Sequence, residues 1–341
     1  MEIKERILIS DLTTMRLGGL ARYAIEIHSP EECIQAYEFA SANMLPVYVL
    51  GGGSNVIGRD EGFDGVLLLN KLSGIEVLTD SAQELIIKAA SGVELDALAE
   101  FATGCGWSGL EALSAIPGTI GGAVMQNVGA YGQEIADTLV SVEVYDKAVN
   151  CYAALEKNQL DLTYRHSIFN SCDKGCYFIL SATIRLARNE IEGELFSSLQ
   201  AYLDMNGISD RSPRTIRNAV IKIRTQKLPD PKVEASSGSF FKNVTISESE
   251  CEALRERYPD IPIFHTRDSS RVSSGWLIEK CGLKGQLLHG MRVSSKSALI
   301  LINESAGSYR NLAAARAEIV SAVQSRFGLT LDQEPEEIPV D

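Results

Sequence analysis

The stretch PVYVLGGGSNVIGRDEGFDG, residues 46–65, decides the fold. Its first five residues read as a strand, rich in β-branched and aromatic side chains that suit a pleated surface. That strand runs directly into Gly51, Gly52, Gly53, Ser54 and Asn55. A glycine turn after a strand invites the dinucleotide-binding fingerprint, which requires G-x-G-x-x-G at the opening of a helix. Here Val56 stands where the third glycine should be, and the glycines and aspartates that follow break any helix. The Rossmann reading fails. Two readings of the loop stay open: a nest of backbone N–H groups offered to phosphate oxygens, or an ordinary tight turn.

A second stretch bears on the choice. GLEALSAIPGTIGGAVMQNVGAYG, residues 109–132, carries glycines at 109, 118, 121, 122, 129 and 132 and little charge. Such density implies backbone packed closely against something flat or phosphorylated, and a loop serving packing alone fits it poorly. Two glycine loops in one half of the chain, with Asn55, Gln126 and Asn127 able to address polar ring atoms, suit a large nucleotide cofactor such as a flavin.

Outward from these loops, helices and strands mix without a strict βαβ rhythm. A helix begins at Ser29, with Pro30 in its first turn and Glu32 closing a capping box. Strands are expected at GVLLLN, LIIKAA, VSVEVYD and YFILSATIRL, with the helix ELDALAEFAT between the second and third. The helix SPRTIRNAVIKIRTQK, capped by Ser212, leads into the proline-punctuated KLPDPK, which marks a boundary near residue 225. Beyond it the pattern predicts helices at SESECEALRERY and SSGWLIEKCG, an apolar strand at SALILIN, and a long helix from Ser308 to Gly328. This part reads as an α+β domain of its own.

Composition excludes several classes. The 341 residues exceed one usual domain, and 45% apolar with 23% charged residues describes a globular chain. A formal net charge of −13 argues against a nucleic-acid surface or an anionic membrane, without excluding a small anionic ligand. The start MEIKERILIS is charged where a signal peptide is apolar, and no stretch approaches a membrane span, so a cytoplasmic location is expected. Seven scattered cysteines, without C-x-x-C pairs, read as reduced thiols. Cys172 and Cys176 lack a second nearby pair of ligands, and no metal site is expected.

Three short segments suggest chemistry. In YRHSIFN, Tyr164 and Arg165 follow a threonine and precede a strand, and an arginine fixed beside an aromatic can grip a carboxylate with its planar fork. In KLPDPKVEASSGSFFKN, residues 227–243, Ser239 lies between Gly238 and the pair Phe240 and Phe241, with Lys227, Lys232 and Lys242 nearby. Near the C-terminus stands the acidic QEPEE. Taken singly, the arginine could be a surface ion-pair partner, the lysines solvated charges and the acidic run a solvated tail.

In order and over nearly the whole chain, the two glycine loops, YRHSIFN, GSFFKN and EPE resemble the UDP-N-acetylenolpyruvoylglucosamine reductase (MurB) family. The resemblance implies an α+β fold: a two-lobed FAD-binding domain of the vanillyl-alcohol oxidase (PCMH) type, with lobes at 1–71 and 72–225, and a C-terminal substrate-binding domain at 226–341. It implies non-covalent FAD held by Gly51, Gly52, Gly53, Ser54, Asn55, Ile116, Pro117, Gly118, Gly121, Gly122, Gln126, Asn127, Gly129 and Ala130. By motif position Arg165, Ser239 and Glu336 fall on the catalytic residues, and Tyr164, Lys227, Asn243 and Lys284 on the UDP-sugar site. The implied reaction is NADPH-dependent reduction of UDP-N-acetylglucosamine enolpyruvate to UDP-N-acetylmuramate for peptidoglycan, by a monomer. GSFFKN resembles the group in which a tyrosine from an extra loop closes over the UDP; LFSSLQAYLDMNGISDR offers Tyr202 for that role. Because the chain stops five residues after Glu336, that glutamate is expected to lack the support of a following strand.

Overall fold

The computed structural model describes residues 1–188, 193, 195–265 and 269–338. They form two compact units, one of residues 1–7, 21–53 and 64–226, the other of residues 8–20, 54–63 and 227–341. The units do not follow chain order, because two N-terminal segments cluster with the C-terminal part.

The first unit is built on two larger sheets. One has four strands in the order Ile3–Leu8, Leu20–Ile27, Phe63–Asn70, Val47–Leu50, the last two parallel with Val47 opposite Val66. Against it lies the helix Pro30–Ala42, whose N-cap Ser29 accepts a hydrogen bond from Glu32 N at 3.2 Å. Its apolar stripe of Cys33, Ala36, Tyr37 and Ala40 is buried with Ile25, Ile27, Val66 and Leu68. The other sheet is antiparallel, in the order Cys151–Glu156, Leu139–Asp146, Tyr177–Ala187, Glu84–Ala90, Ile75–Asp80. Along Glu84–Ala90 the alternation is regular: Leu85, Ile87 and Ala89 face the core, and the residues between them face outward. Helices Leu95–Gly104 and Ile120–Met125 cover that face.

In the second unit Phe240 and Phe241, rings 5.0 Å apart and edge to face, centre a core closed by the helix Tyr309–Phe327. Ser308 Oγ caps that helix at Asn311 N, and Gly328 ends it with φ +73°, a left-handed angle that glycine adopts without strain. Met15, Leu17 and Ile57 from the N-terminal segments join the same core. Strand Val56–Gly58 pairs in parallel with Glu336–Ile338. Glu336 therefore opens a strand, where the short C-terminus suggested missing support.

Several expectations need correction. LFSSLQAYLDMNGISDR is not a loop: Ser197–Met205 is helical, because Leu199 and Leu203, one turn apart, bury against Ile216, Val220 and Ile223 of the helix Pro213–Lys227. SALILIN is extended only over Leu301–Asn303, since Ile300 N donates to Ser297 O and closes a turn before it. The strand after YRHSIFN begins only at Tyr177, after a 3-10 turn at Ile168–Asn170. Among the described residues no helix is long and apolar enough to cross a membrane, and no cluster of three or more His, Cys, Asp or Glu could hold a metal.

Candidate active site

In the first unit the strand Val47–Leu50 delivers Gly51–Gly53 against the second glycine stretch. A Cβ on Gly51 would lie 2.7 Å from Thr119 Oγ1, and one on Gly52 3.1 Å from Gly118 Cα. Only glycine lets these two backbones approach so closely. Gly53 (φ +67°) and Gly118 (φ +122°) also occupy angles that side chains disfavour. The stretch is not loop throughout, because Thr119 caps the helix Ile120–Met125 and Gly121 N is tied to Ser91 O at 2.8 Å. Gly121 also lies against Ser91, and Gly122 stands 3.7 Å (by its Cβ direction) from Thr119 Oγ1. Ile116 packs at the edge of the core, while Pro117 is exposed.

Beyond this helix Gly129 and Ala130 form a hairpin with Gln133 and Glu134. Asn127, fully buried and at φ +43°, bolts it down. Its Nδ2 donates to Glu134 Oε2 (2.8 Å) and Thr163 O (2.9 Å), and its Oδ1 accepts from Ala136 N (3.2 Å). This corrects the expectation that the Asn127 amide donates to a cofactor ring: both of its N–H groups and one Oδ1 lone pair go to the protein. The amide instead fixes the arginine segment, since Thr163 opens the turn that carries Tyr164 and Arg165. The turn closes on itself through Thr163 N to His166 O and the reciprocal bond.

Arg165 has φ +54°, an uncommon angle for a non-glycine residue and one that costs on the order of 1–3 kcal/mol where the surroundings impose it. Three bonds impose it. Thr163 O is held by Asn127, Ser167 Oγ donates to Met125 O at 2.5 Å, and Asn170 Nδ2 donates to Arg165 O at 3.1 Å. The guanidinium lies over the Tyr164 ring, 5.0 Å from its centroid, and Nη2 donates to Gly129 O at 3.1 Å. Arg165 is thus set at the end of the glycine stretch, with its backbone strained to hold it there.

A residue the sequence did not flag stands close to the same stretch. Arg224 Nε, on the helix Pro213–Lys227, is buried with no hydrogen-bond partner among the described residues. Its charge interacts with Tyr131 and Asp96. Asp96 Oδ1 accepts from Ala115 N (2.6 Å) and from Arg217 Nη1 (2.5 Å), so the group is tied to residues just before Ile116 and just after Ala130. Burial lowers the Arg224 pKa, with Tyr131 and Asp96 raising it in part; a guanidinium so placed stays charged. Burial also raises the Asp96 pKa, but the Arg217 and Ala115 hydrogen bonds outweigh it and hold the carboxyl below its ordinary value. The available signal was two arginines seven residues apart, each following a buried stripe residue, Ile216 and Ile223. A buried guanidinium N–H without a partner among the described residues, beside a glycine-lined backbone, is an arrangement that suits a large anionic cofactor such as FAD.

The second unit gathers the other candidates. Gly238 has φ +70° with open space around its Cβ direction, so it serves the backbone angle and turns the chain before Ser239. Phe240 and Phe241, buried behind the serine, anchor it. Phe240 O accepts from Glu334 N (2.9 Å), Lys242 N donates to Asp332 O (2.9 Å), and Phe241 bridges Gln333. The segment after Ser239 is thereby laddered to the segment before Glu336, and Glu336 N donates to Asn55 O at 3.0 Å. Asn55, Ser239 and Glu336 are brought together in one unit. Asn243 Oδ1 accepts from Ser274 N at the start of the helix Ser274–Lys280. Lys227 is exposed at a helix end, and Lys284 Nζ is paired with Glu279 at 2.9 Å. Tyr202 belongs to the first unit, where it and Tyr131 pack on the Leu199–Leu203 cluster.

Comparison with known proteins fits this arrangement. Residues 21–148 match an FAD binding domain, and residues 230–338 match the UDP-N-acetylenolpyruvoylglucosamine reductase C-terminal domain. The UDP-N-acetylenolpyruvoylglucosamine reductase of Burkholderia lata is 34% identical, the match covering 94% of this chain and 93% of that protein. That of Cupriavidus pinatubonensis is 35% identical over 92% and 93%. The crystal structure of UDP-N-acetylenolpyruvylglucosamine reductase from Thermus caldophilus superposes with a TM-score of 0.66 at 25% identity, covering 99% of this chain and all of that one. Fold and matches define an FAD-dependent oxidoreductase, an α+β chain with an FAD-binding domain. Within that class, the chain belongs to the UDP-N-acetylenolpyruvoylglucosamine reductase family.

Proposed function

We propose that this chain is an NADPH-dependent, cytoplasmic, monomeric reductase that converts UDP-N-acetylglucosamine enolpyruvate to UDP-N-acetylmuramate, a step of peptidoglycan synthesis. The observation that carries the reading is the ladder in the second unit, which fixes the segment of Ser239 against that of Glu336. The division into FAD lobes 1–71 and 72–225 and a substrate domain 226–341 belongs to the same reading.

The chemistry FAD supplies when bound is a hydride delivered to C3 of the enolpyruvyl double bond, NADPH providing the electrons. Charge then develops at C2 and on the attached carboxylate. Arg165, its fork pre-set over Tyr164, binds that carboxylate and offsets the growing charge. Ser239 holds a proton for C2; a hydroxyl is a weak acid, but a carbanionic centre is a far stronger base than water, so transfer is downhill in a fixed geometry. Glu336 assists as a second, hydrogen-bonded acid. On the FAD side, the glycine backbones of Gly51–Asn55 and of residues 116–130 give the cofactor close approach, and Arg224 offers its unpaired Nε–H. Lys227, Lys284, Asn243 and Tyr164 bind the UDP-sugar, with Tyr202, on its helix, the candidate for closing over it.

The test is anaerobic mixing of the purified, yellow protein with NADPH and then with the enolpyruvyl substrate. The expected result is stoichiometric NADPH oxidation that requires the substrate, with about one FAD per chain passing into the supernatant on acid precipitation; neither glycine loop holds a cysteine or histidine to anchor it covalently. Oxygen-driven turnover without NADPH would mark an oxidase instead. UDP-sugar binding without NADPH consumption would mark a binding protein that has kept the fold.

A further inference from the structure

Glu336 stands in a strand too short to fix itself. Among the described residues the Glu336–Ile338 strand has one neighbour, Val56–Gly58, and three residue pairs of parallel ladder give marginal stability. Register matters acutely here, because a slip of one residue would turn Glu336 to the opposite face. Ile338, wholly buried, holds the face it shares with Glu336. Something must hold the other.

The helix Tyr309–Phe327 does so. Tyr309 and Arg316, seven residues apart and hence on one stripe, both reach Glu337. Arg316 Nη1 donates to Glu337 Oε1 at 2.6 Å and Tyr309 Oη donates to the same oxygen at 2.7 Å. Arg316 Nη1 also donates to Gln333 Oε1 at 2.5 Å, and Gln333 Nε2 in turn donates to Pro335 O at 2.7 Å. One guanidinium therefore grips the chain on both sides of Glu336. Gln333 is also the residue bridged to Phe241, two positions after Ser239. Arg316, Glu337 and Gln333 are part-buried, where charge-assisted bonds keep more of their strength than they would in open solvent.

We infer that Arg316, acting through Glu337 and Gln333, is a positioning residue that sets the register of Glu336 relative to Ser239. The inference rests on the reading of Glu336 as a catalytic acid. It assigns Arg316 no contact with substrate.

The experiment compares Arg316→Met, Glu337→Gln, Glu336→Gln and the double variant Arg316→Met/Glu336→Gln in FAD-loaded, full-length protein. Rapid mixing separates flavin reduction by NADPH from reoxidation by the enolpyruvyl substrate. Arg316→Met should slow reoxidation by about 10- to 100-fold, the cost of misplacing a reacting group by roughly 1 Å. Flavin reduction, FAD content and substrate KM should change by less than about twofold. Glu337→Gln, which keeps an acceptor for both donors, should recover most of the rate. In the Glu336→Gln background the Arg316 effect should vanish, because two residues that act as one do not add. Full additivity, or equal slowing of both half-reactions, overturns the inference. If Arg316→Met does not fold, Tyr309→Phe with the same double variant decides on the same criteria. A Glu336→Gln protein with unchanged reoxidation would instead defeat the catalytic role of Glu336, and that outcome is read without any Arg316 variant.

Discussion

At the scale of single residues, the two candidates most exposed to test are Arg165 and Ser239. Arg165 is kept at φ +54° by bonds to Asn127, Met125 and Asn170 that no surface ion-pair partner would require. A strained residue held by its surroundings is where function is to be sought. Lysine keeps the charge but loses the planar fork. Arg165→Lys should therefore retain FAD while reoxidation by substrate slows by about 10²-fold, the usual loss for one oxyanion donor. Near-normal turnover in stopped-flow traces would remove Arg165 from the mechanism. Ser239 makes no hydrogen bond through its hydroxyl to any described residue, which leaves that group available to a ligand. Reduction of FAD by NADPH needs no proton on carbon, whereas saturation of the enolpyruvyl group does. Ser239→Ala should bleach the flavin at the normal rate and reoxidise ~10²- to 10⁴-fold more slowly, about 3–5 kcal/mol of barrier. Ser239→Cys should regain part of that loss, since a thiol donates from nearly the same place. Equal slowing of both steps would mean that the serine only packs beside the phenylalanines.

At the scale of elements, Asn127 joins three pieces: the helix Ile120–Met125, the Gly129–Glu134 hairpin and the turn of Arg165. Asn127→Ala would take one of its two donors from Thr163 O, leave the half-buried Ala136 N without its acceptor and place alanine at φ +43°, for a combined cost of about 2 kcal/mol. A lowered urea midpoint with an unchanged m-value is the expected observation. A loss below about 0.5 kcal/mol would show that the turn is held otherwise. Asn127 also marks where the sequence stopped being legible. As one more amide in a glycine-rich run it reads as a ring ligand, and only the placement of Thr163 shows that it is spent inside. What was legible was local: the strand ending in Gly51, the broken fingerprint at Val56, the caps Ser29 and Ser308 and the stop at Gly328 each depend on a few neighbouring residues. What was hidden is non-local or weakly patterned. Strand Cys151–Glu156 is a sheet edge with largely exposed side chains, so no apolar alternation announces it. The helix Ser197–Met205 buries only Leu199 and Leu203, too few to set a period. The strand Glu336–Ile338 pairs with residues nearly the whole chain away, and Arg316 is tied to it only through that pairing. The candidate catalytic residues were named by motif, but their anchors could not be.

At the scale of the whole molecule, acid should be the condition this protein tolerates least. Its formal net charge of −13 at pH 7 turns strongly positive once the carboxylates protonate, since 32 Lys and Arg remain charged. Repulsion then adds to a more specific loss in each unit. Burial raises the pKa of Asp96 and of Glu337, yet hydrogen bonds win in both: Arg217 and Ala115 hold Asp96, and Tyr309 and Arg316 hold Glu337, below their ordinary values. With each folded pKa below the unfolded one, the unfolded chain binds more protons between the two, and stability rises with pH there. The contribution is complete above the unfolded values and disappears as pH falls through the folded ones. Surface pairs such as Lys4 with Glu26 and Arg292 with Glu304 are screened by solvent and add little to this slope. Calorimetric scans from pH 6 down to about 3 should show melting temperature falling mainly below the ordinary carboxylate values. Asp96→Asn and Glu337→Gln should each melt lower than the parent at pH 7 and lose less on acidification, so that the curves converge at low pH. Parallel curves, with the same acid slope in the double variant as in the parent, would show that general charge repulsion alone unfolds the protein and that neither carboxylate pair contributes to its stability.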